Sequence, residues 1–297
     1  MITFHKPQLE DKDWVTRAML ASEELACEFC FGNLYMWSGV FQNTIARHDD
    51  LLLARDVDDF GKPLYLYPCG VGDKRAAIEA LLDLATEENC PLTLYCLTPE
   101  KREELESLFP GQFTFEERRA YFDYIYEVEA LANLAGRKYH GKRNHVSYFK
   151  KTYAWQYEPI TKDNLEECYQ MTIEWKKQNE QKNPEELEGE FRAIQRAMQH
   201  FFDLQFIGGL LRVDGKVVAY TFGEKMNDTL FCTHVEKAFA DYRGAYPTIN
   251  QEFAKQALSE FKLVNREEDT GSEGLRRAKE SYYPTILLPK YTATYKG

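Results

Sequence analysis

The sequence predicts an α/β (α+β) protein of two tandem domains, each with a mixed sheet flanked by helices. Three observations carry this. The 297 residues suffice for two ordinary domains. A composition of 44% hydrophobic and 29% charged residues is that of a globular chain rather than a disordered one. The order strands, helix, strand, helix, strand also recurs in both halves, at a spacing far longer than a solenoid repeat.

In the first half, residues 29–41 are an aromatic-rich apolar stretch. Residues 51–55 and 63–67 flank Asp58-Asp59-Phe60-Gly61 and read as strand, turn, strand. Apolar side chains at 77, 78, 81, 82, 84 and 85 give residues 73–88 a helical period. Residues 91–96 form a short strand. Thr98 as cap and Pro99 at the first position then open a helix ending near Phe109-Pro110-Gly111. Residues 120–126 read as a further strand.

Residues 141–153 form a helix, as do 165–177 and 191–202, and the polar stretch 178–190 reads as an exposed linker. In the second half, 206–213 and 216–222 form a hairpin closed by Asp214-Gly215. Residues 229–235 are its third strand. Residues 245–261 are a helix with Ile249, Phe253, Ala254 and Ala257 on one face, followed by a short strand near Leu263-Val264. Residues 274–283 form a helix stopped by Pro284, and 285–295 a closing strand. The boundary is placed between a domain of residues 1–130 and one of residues 131–297.

Charge separates the halves. Residues 1–130 hold 12 basic and 25 acidic side chains, whereas residues 131–297 hold 25 and 23. An anionic ligand is expected only at the second half, and a general nucleic-acid binder is excluded. Seven scattered cysteines make no disulfide framework and fit a reducing compartment. The N-terminus has no signal-peptide pattern, and no apolar run approaches the ~18 residues of a membrane helix. The expectation is a cytoplasmic protein without a transmembrane segment, reaching any lipid from the membrane surface.

Four motifs carry a resemblance. They are Gly141-Lys142-Arg143-Asn144-His145 followed by Phe149, the stretch from Asn265-Arg266-Glu267-Glu268-Asp269 to Gly274-Leu275-Arg276, its continuation Lys279-Glu280-Ser281-Tyr282-Tyr283-Pro284, and residues 29–37. Together they resemble the phosphatidylglycerol lysyltransferase C-terminal-domain family across nearly the whole chain. The resemblance implies two tandem GNAT-like (acyl-CoA N-acyltransferase-type) domains related to Fem-type peptidyl transferases. It also implies transfer of an aminoacyl group, which in the lysyltransferases passes from tRNA to phosphatidylglycerol. A GNAT domain that binds acetyl-CoA carries a glycine-rich turn whose amides hold the pyrophosphate. The corresponding Asp241-Tyr242-Arg243-Gly244-Ala245-Tyr246-Pro247 has one glycine and a proline. Gly70 and Gly72 offer a second, unspecific anion cradle. Aminoacyl-tRNA is therefore the favoured donor, with acyl-CoA the alternative.

The site residues follow from type and position. Residues 130–157 hold no acidic side chain, and Arg137, Lys138, Lys142, Arg143, Lys150 and Lys151 alternate there with aromatics. They form either a groove for tRNA or headgroup phosphate or a solvated face. Arg276 and Lys279 share a helix face, which the family resemblance implies is turned to the donor; with Lys142, Arg143 and Arg266 they are the expected donor or phosphate binders, the alternative being an exposed amphipathic helix. Asp269 and Glu267 are expected at the acceptor or its amine, where a strand meets a loop; the alternative makes Asp269 and Ser272 helix caps. Strand alternation puts Cys232, His234 and Glu236 on one side, and the GNAT resemblance implies a base near this strand, so Glu236 and His234 are the candidate general bases or, alternatively, a buried structural pair. No ligand set stands at zinc spacing, and Cys27-x-x-Cys30 reads as buried thiols. Neither a Gly-x-Ser-x-Gly elbow nor a Walker sequence is present. The reading is an acyl or aminoacyl transferase needing no metal or covalent cofactor. Its expected site lies in the cleft between the domains, mainly in the second, and its expected partners are tRNA and a surface lipid; the rival is a GNAT scaffold that binds without turnover.

Overall fold

The computed structural model describes residues 2–58, 60–179 and 184–297. The chain opens with helices α1 (Lys12–Ala21) and α2 (Phe31–Trp37), the latter covering the aromatic stretch. Strands β1 (Thr44–His48), β2 (Leu51–Val57), β3 (Pro63–Leu66) and β4 (Cys69–Gly70) follow, then α3 (Lys74–Glu87), β5 (Thr93–Leu97), α4 (Pro99–Leu108) and β6 (Phe113–Glu117). Asp73 caps α3 by accepting from Ala76 N. Pro99 opens α4 as expected, and Thr98 takes the cap position without a side-chain hydrogen bond.

Next come β7 (Asp123–Glu127), α5 (Val128–Asn133), α6 (His140–Thr152), β8 (Trp155–Pro159), α7 (Leu165–Asn179) and α8 (Pro184–Gln199). The linker expected over 178–190 is corrected by α8, which begins at Pro184; residues 180–183 lie outside the described residues. Pro184 at the first position and Glu185 and Glu186 in the first turn favour a helix N-terminus. Glu188 then pairs with Arg192 one turn on.

The hairpin β9 (Ile207–Val213) and β10 (Lys216–Lys225) turns through Asp214 and Gly215, both at positive φ as a two-residue turn requires. β11 (Leu230–Ala238), α9 (Ala245–Gln256), β12 (Leu263–Asn265), α10 (Glu273–Glu280), β13 (Ile286–Leu288) and β14 (Tyr291–Tyr295) complete the chain. The closing strand expected over 285–295 is thus two strands, in different sheets.

The chain divides into two compact units. Unit 1 is Met1–Asp123 with Glu267–Arg276 and Leu287–Gly297; unit 2 is Tyr124–Arg266 with Arg277–Ile286. The single cut expected between residues 130 and 131 differs from this because the terminal strand of each half pairs in the other half's sheet. In unit 1 the sheet runs β1-β2-β3-β5-β14-β6, with β4 on β2. β14 is antiparallel to both β5 and β6 and fills the place between them. The second sheet runs β13-β7-β12-β11-β10-β9-β8, with β7 antiparallel to β12 and β12 parallel to β11.

Each unit has its own core. Leu53, Tyr65, Ile78, Leu81, Leu94 and Ala293 pack in unit 1, and Tyr126, Val146, Phe231, Phe253 and Tyr282 in unit 2. No disulfide joins the cysteines among the described residues, and Cys27 sits in a buried ionic cluster of unit 1. There Lys290 Nζ lies 2.8 Å from Asp123 Oδ1 and 2.6 Å from Glu28 Oε2. Burial and then Asp123 push the Cys27 thiol well up.

Candidate functional site

β11 and β12 set the candidate site of unit 2. Their parallel register ends at Cys232↔Asn265, so Arg266 leaves the sheet at a carboxyl end, where ligands of open α/β sheets gather. The Arg266 backbone is held twice: its N–H donates to Tyr124 O at 3.0 Å, and its carbonyl accepts from Lys279 Nζ at 2.6 Å. Its guanidinium returns to β11, where Nη2 donates to Glu236 Oε1 at 2.9 Å. Asn250 of α9 donates through Nδ2 to Glu236 Oε2 at 3.2 Å, so both carboxylate oxygens are engaged. Burial works against the Arg266 charge, but Glu236, Tyr126 and Tyr282 together outweigh it and the pKa is raised.

Aromatic rings complete the setting. The Arg266 guanidinium lies 5.0 Å from the Tyr282 ring and 5.6 Å from that of Tyr126. Lys142 of α6 places Nζ 3.8 Å from the same Tyr282 ring, a cation–π contact. Burial, then the charge of Arg266, pushes Lys142 down to about 8 against the pull of Glu236. Tyr282 is fixed from behind by Tyr139 Oη, which donates to its carbonyl at 3.0 Å. Two atoms here have no partner among the described residues: Arg266 Nη1 and Asn250 Oδ1, both buried.

Of the residues expected at the site, Glu236, Arg266 and Lys142 come together, with Lys279 behind them on the Arg266 backbone. His234 does not join them. Its side chain is 1% exposed, and its Nε2 donates to Glu224 Oε1 at 2.9 Å while Phe206 packs at 5.6 Å. Arg143 turns inward to the carbonyls of Leu134 and Gly136 and ties α6 to the end of α5.

The remaining three belong to unit 1. Asp269 is fully buried and receives Arg276 through Nε at 2.8 Å and Nη2 at 3.0 Å, Arg119 Nη1 at 3.1 Å and Gly271 N at 2.9 Å. The acid expected to hold an amine and the base expected to hold a phosphate are partners of each other. They brace the loop before α10, where Ser272 Oγ accepts from Leu275 N at 3.4 Å. Glu267 stands at φ 59° and accepts from Asn33 Nδ2 of α2 at 3.0 Å.

Sequence reading missed Asn250 and Arg119. A signal for Asn250 existed: α9 carries Asn250-Gln251-Glu252 in a row, and all three are buried. Arg119 has no such signal, because only folding brings it to Asp269.

The turn before α9 matches a pyrophosphate cradle poorly. A Cβ on Gly244, at φ +90°, would stand 2.4 Å from the His145 carbonyl oxygen, so the glycine serves the close approach of α6. Ala245 N donates to Tyr242 O at 2.9 Å, Thr248 N donates to Gly244 O at 3.1 Å, and Pro247 has no N–H. At the Gly70-Gly72 turn, the carboxylate of Asp73 already occupies the N-terminus of α3.

The comparisons agree with this architecture. A conserved protein of unknown function from Bacteroides thetaiotaomicron VPI-5482 is 39% identical, with a TM-score of 0.94 over 100% of both chains. The C-terminal domain (DUF2156) of a protein described as a lysylphosphatidylglycerol synthetase from Agrobacterium fabrum shares the fold at 14% identity. Its TM-score is 0.70 over 96% of this chain and 92% of that one. A tandem GNAT protein from the clavulanic acid biosynthesis pathway shares it at 13% identity, with a TM-score of 0.52 over 99% and 98%. The fold is GNAT-like in both units. Among curated proteins, an uncharacterised protein of Mycoplasmoides gallisepticum (strain R) is 26% identical over 182 residues. That match covers 57% of this chain and 54% of the relative, so the chain spans about half the length of the curated relative it matches. The model of the family described as phosphatidylglycerol lysyltransferase, C-terminal, matches residues 21–294, and the chain therefore belongs to the phosphatidylglycerol lysyltransferase C-terminal family.

Proposed function

We propose that the protein is an aminoacyl or acyl transferase whose site in unit 2 binds an anionic donor, with aminoacyl-tRNA favoured, and delivers its acyl group to a hydroxyl or amine. One observation carries this: two cations, Arg266 and Lys142, share the Tyr282 ring against one carboxylate, Glu236, and Arg266 keeps a buried N–H without an acceptor among the described residues. Lys142 lies on α6, inside the acid-free segment 130–157. Family membership supports the aminoacyl choice.

In this reading Arg266 and Lys142 hold phosphate, and Glu236 takes the proton of the attacking hydroxyl or amine. Positioning and fixed charge lower the barrier, and no covalent enzyme intermediate or metal is invoked. Glu236 is preferred to His234 because Glu236 lies beside the unmatched donor, whereas His234 is spent on Glu224. Acyl-CoA is the weaker donor, since the turn before α9 has a single glycine and Pro247 has no N–H. Among the described residues no helix is long and apolar enough to cross a membrane. We place the reaction in the cytoplasm, with a lipid acceptor met at the membrane surface.

The test is binding of charged tRNA, uncharged tRNA and acetyl-CoA at two salt concentrations, followed by transfer from labelled aminoacyl-tRNA to lipid. Lys142→Ala should weaken tRNA binding and reduce the salt slope by about 1. Binding of acetyl-CoA alone would move the assignment to the acyl-CoA enzyme. Binding of none would leave a scaffold without turnover.

A further inference from the structure

The sheet of unit 1 ends at β6, which among the described residues pairs only with β14. Arg118 N donates to Lys290 O at 2.8 Å and Lys296 N to Gln112 O at 3.0 Å, one bond at each end of the strand. Bonded and unbonded pairs alternate along an antiparallel ladder. The even-numbered residues therefore face β14, and Phe113, Phe115 and Glu117 turn N–H and C=O outward. Edge strands are commonly blunted by lysine, proline or a bulge. β6 reads Phe-Thr-Phe-Glu-Glu, with neither residue, and its register with β14 is unbroken.

Side chains narrow the partner. Phe113, Phe115 and Glu117 share one face of the strand, because strand side chains alternate. On that face a groove of about 660 Å³ runs between the edge and α4, lined by Arg102, Glu103, Glu106, Phe113, Phe115 and Lys296 among others. Arg102 lies 5.1 Å from the Phe115 ring. Acids and bases balance in this groove although the chain carries a net charge of -11, so a second copy meets little repulsion here. Two charges at the edge are left unmatched. Lys296 Nζ donates to the Gly111 carbonyl at 2.8 Å, and neither it nor the exposed Glu117 has an ion-pair partner among the described residues. Lys296 adjoins Gln112, and Gln112 to Glu117 is roughly 17 Å along the strand, so the two cannot meet within one chain.

We propose that β6 is the contact strand of a two-fold dimer, pairing antiparallel with β6 of a second copy with Phe115 on the axis. Phe115 then faces its own counterpart and Phe113 faces Glu117, each pair exchanging both main-chain hydrogen bonds. Thr114 faces Glu116 on the other side of the sheet, so no like charges stand directly opposite. Glu117 of each copy comes beside Lys296 of the other, and the two charges left over at opposite ends of one strand match each other across the axis. This self-matching selects a second copy over a foreign strand.

Sedimentation equilibrium from micromolar to millimolar concentration tests the proposal, and twice the chain mass is expected at the upper end. Glu117→Lys should weaken association about tenfold, because two ion pairs become repulsions, and adding Lys296→Glu should restore it. Glu117→Pro removes an outward N–H that β14 does not use, so it should abolish the dimer while the melting temperature of the dilute protein is kept. Hydrogen exchange needs no variant. The amides of Phe113, Phe115 and Glu117 should slow as concentration rises, whereas those of Thr114 and Glu116 are protected throughout. A single-chain mass at every concentration overturns the proposal. A dimer whose three outward amides stay unprotected also overturns it, because another face then holds the copies together.

Discussion

Arg266 Nη2 and Glu236 Oε1 lie 2.9 Å apart, on residues 30 positions distant in sequence, and both side chains are nearly buried. Glu236 is the counter-charge of the buried Arg266 guanidinium. Arg266→Met alone should therefore cost about 3–5 kcal/mol, because Glu236 is left buried without its counter-charge. Replacing both by Met should cost much less than the sum of the single changes. Urea denaturation of the two single variants and the double variant checks this, and strict additivity would show that the pair is not coupled.

Lys142 gives a pH dependence of defined sign. Its ordinary value of 10.5 is lowered to about 8 in the fold. Between these values the unfolded chain binds a proton that the folded chain has released, so stability should rise with pH from about 8 to 10.5 through this group. Lys142→Met should flatten that rise. Affinity for an anionic donor should fall over the same onset, as the ammonium is lost. Melting temperatures and tRNA binding measured from neutral to alkaline pH test both effects. An unchanged profile in Lys142→Met would assign the rise to other groups.

Asp269 is the counter-charge of Arg276 and Arg119 in unit 1. Asp269→Ala should lower stability by about 3 kcal/mol, at the low end for a broken buried pair because both arginines remain about a third exposed. Arg276→Lys should recover little, since a point charge cannot reproduce the two-pronged contact. If Asp269 instead held a substrate amine, its replacement would leave the melting temperature unchanged and abolish transfer. Thermal melting beside a transfer assay separates these outcomes.

β14 supplies partners to both β5 and β6. Ending the chain at residue 289 removes β14 and Lys290, which neutralises Asp123 and Glu28. Loss of so short a segment should abolish the cooperative folding of unit 1, where a frayed tail would lose little. Hydrogen exchange should show β5 and β6 unprotected in the truncated protein. Full protection there would contradict the strand order.

Local pattern made most elements legible. The 3.6-residue period located α3, the helices read over 141–153 and 165–177 match α6 and α7, and the two-residue turn Asp214-Gly215 located the β9–β10 hairpin. The α8 N-terminus was missed although Pro184, Glu185 and Glu186 mark it, because polarity was read as exposure. The sequence names the charged residues but not their neighbours. Arg276 and Asp269 look like two binding groups in a line of text and are one ion pair in space. Lys142 looks like one of six cations and is the one that shares a ring with Arg266.

The sequence by itself determined the α/β class, the recurrence of the strand–helix order, the family motifs and the placing of cationic character in the second half. These depend on side-chain period, turn chemistry and composition, all of which act over a few residues. Only the tertiary structure decided that β7 and β14 each pair in the other half's sheet, and that Asn250 and Arg266 meet on Glu236. A strand's pattern states which faces it buries but not which strand it pairs with, and a charged side chain acquires its function from neighbours far away in the chain.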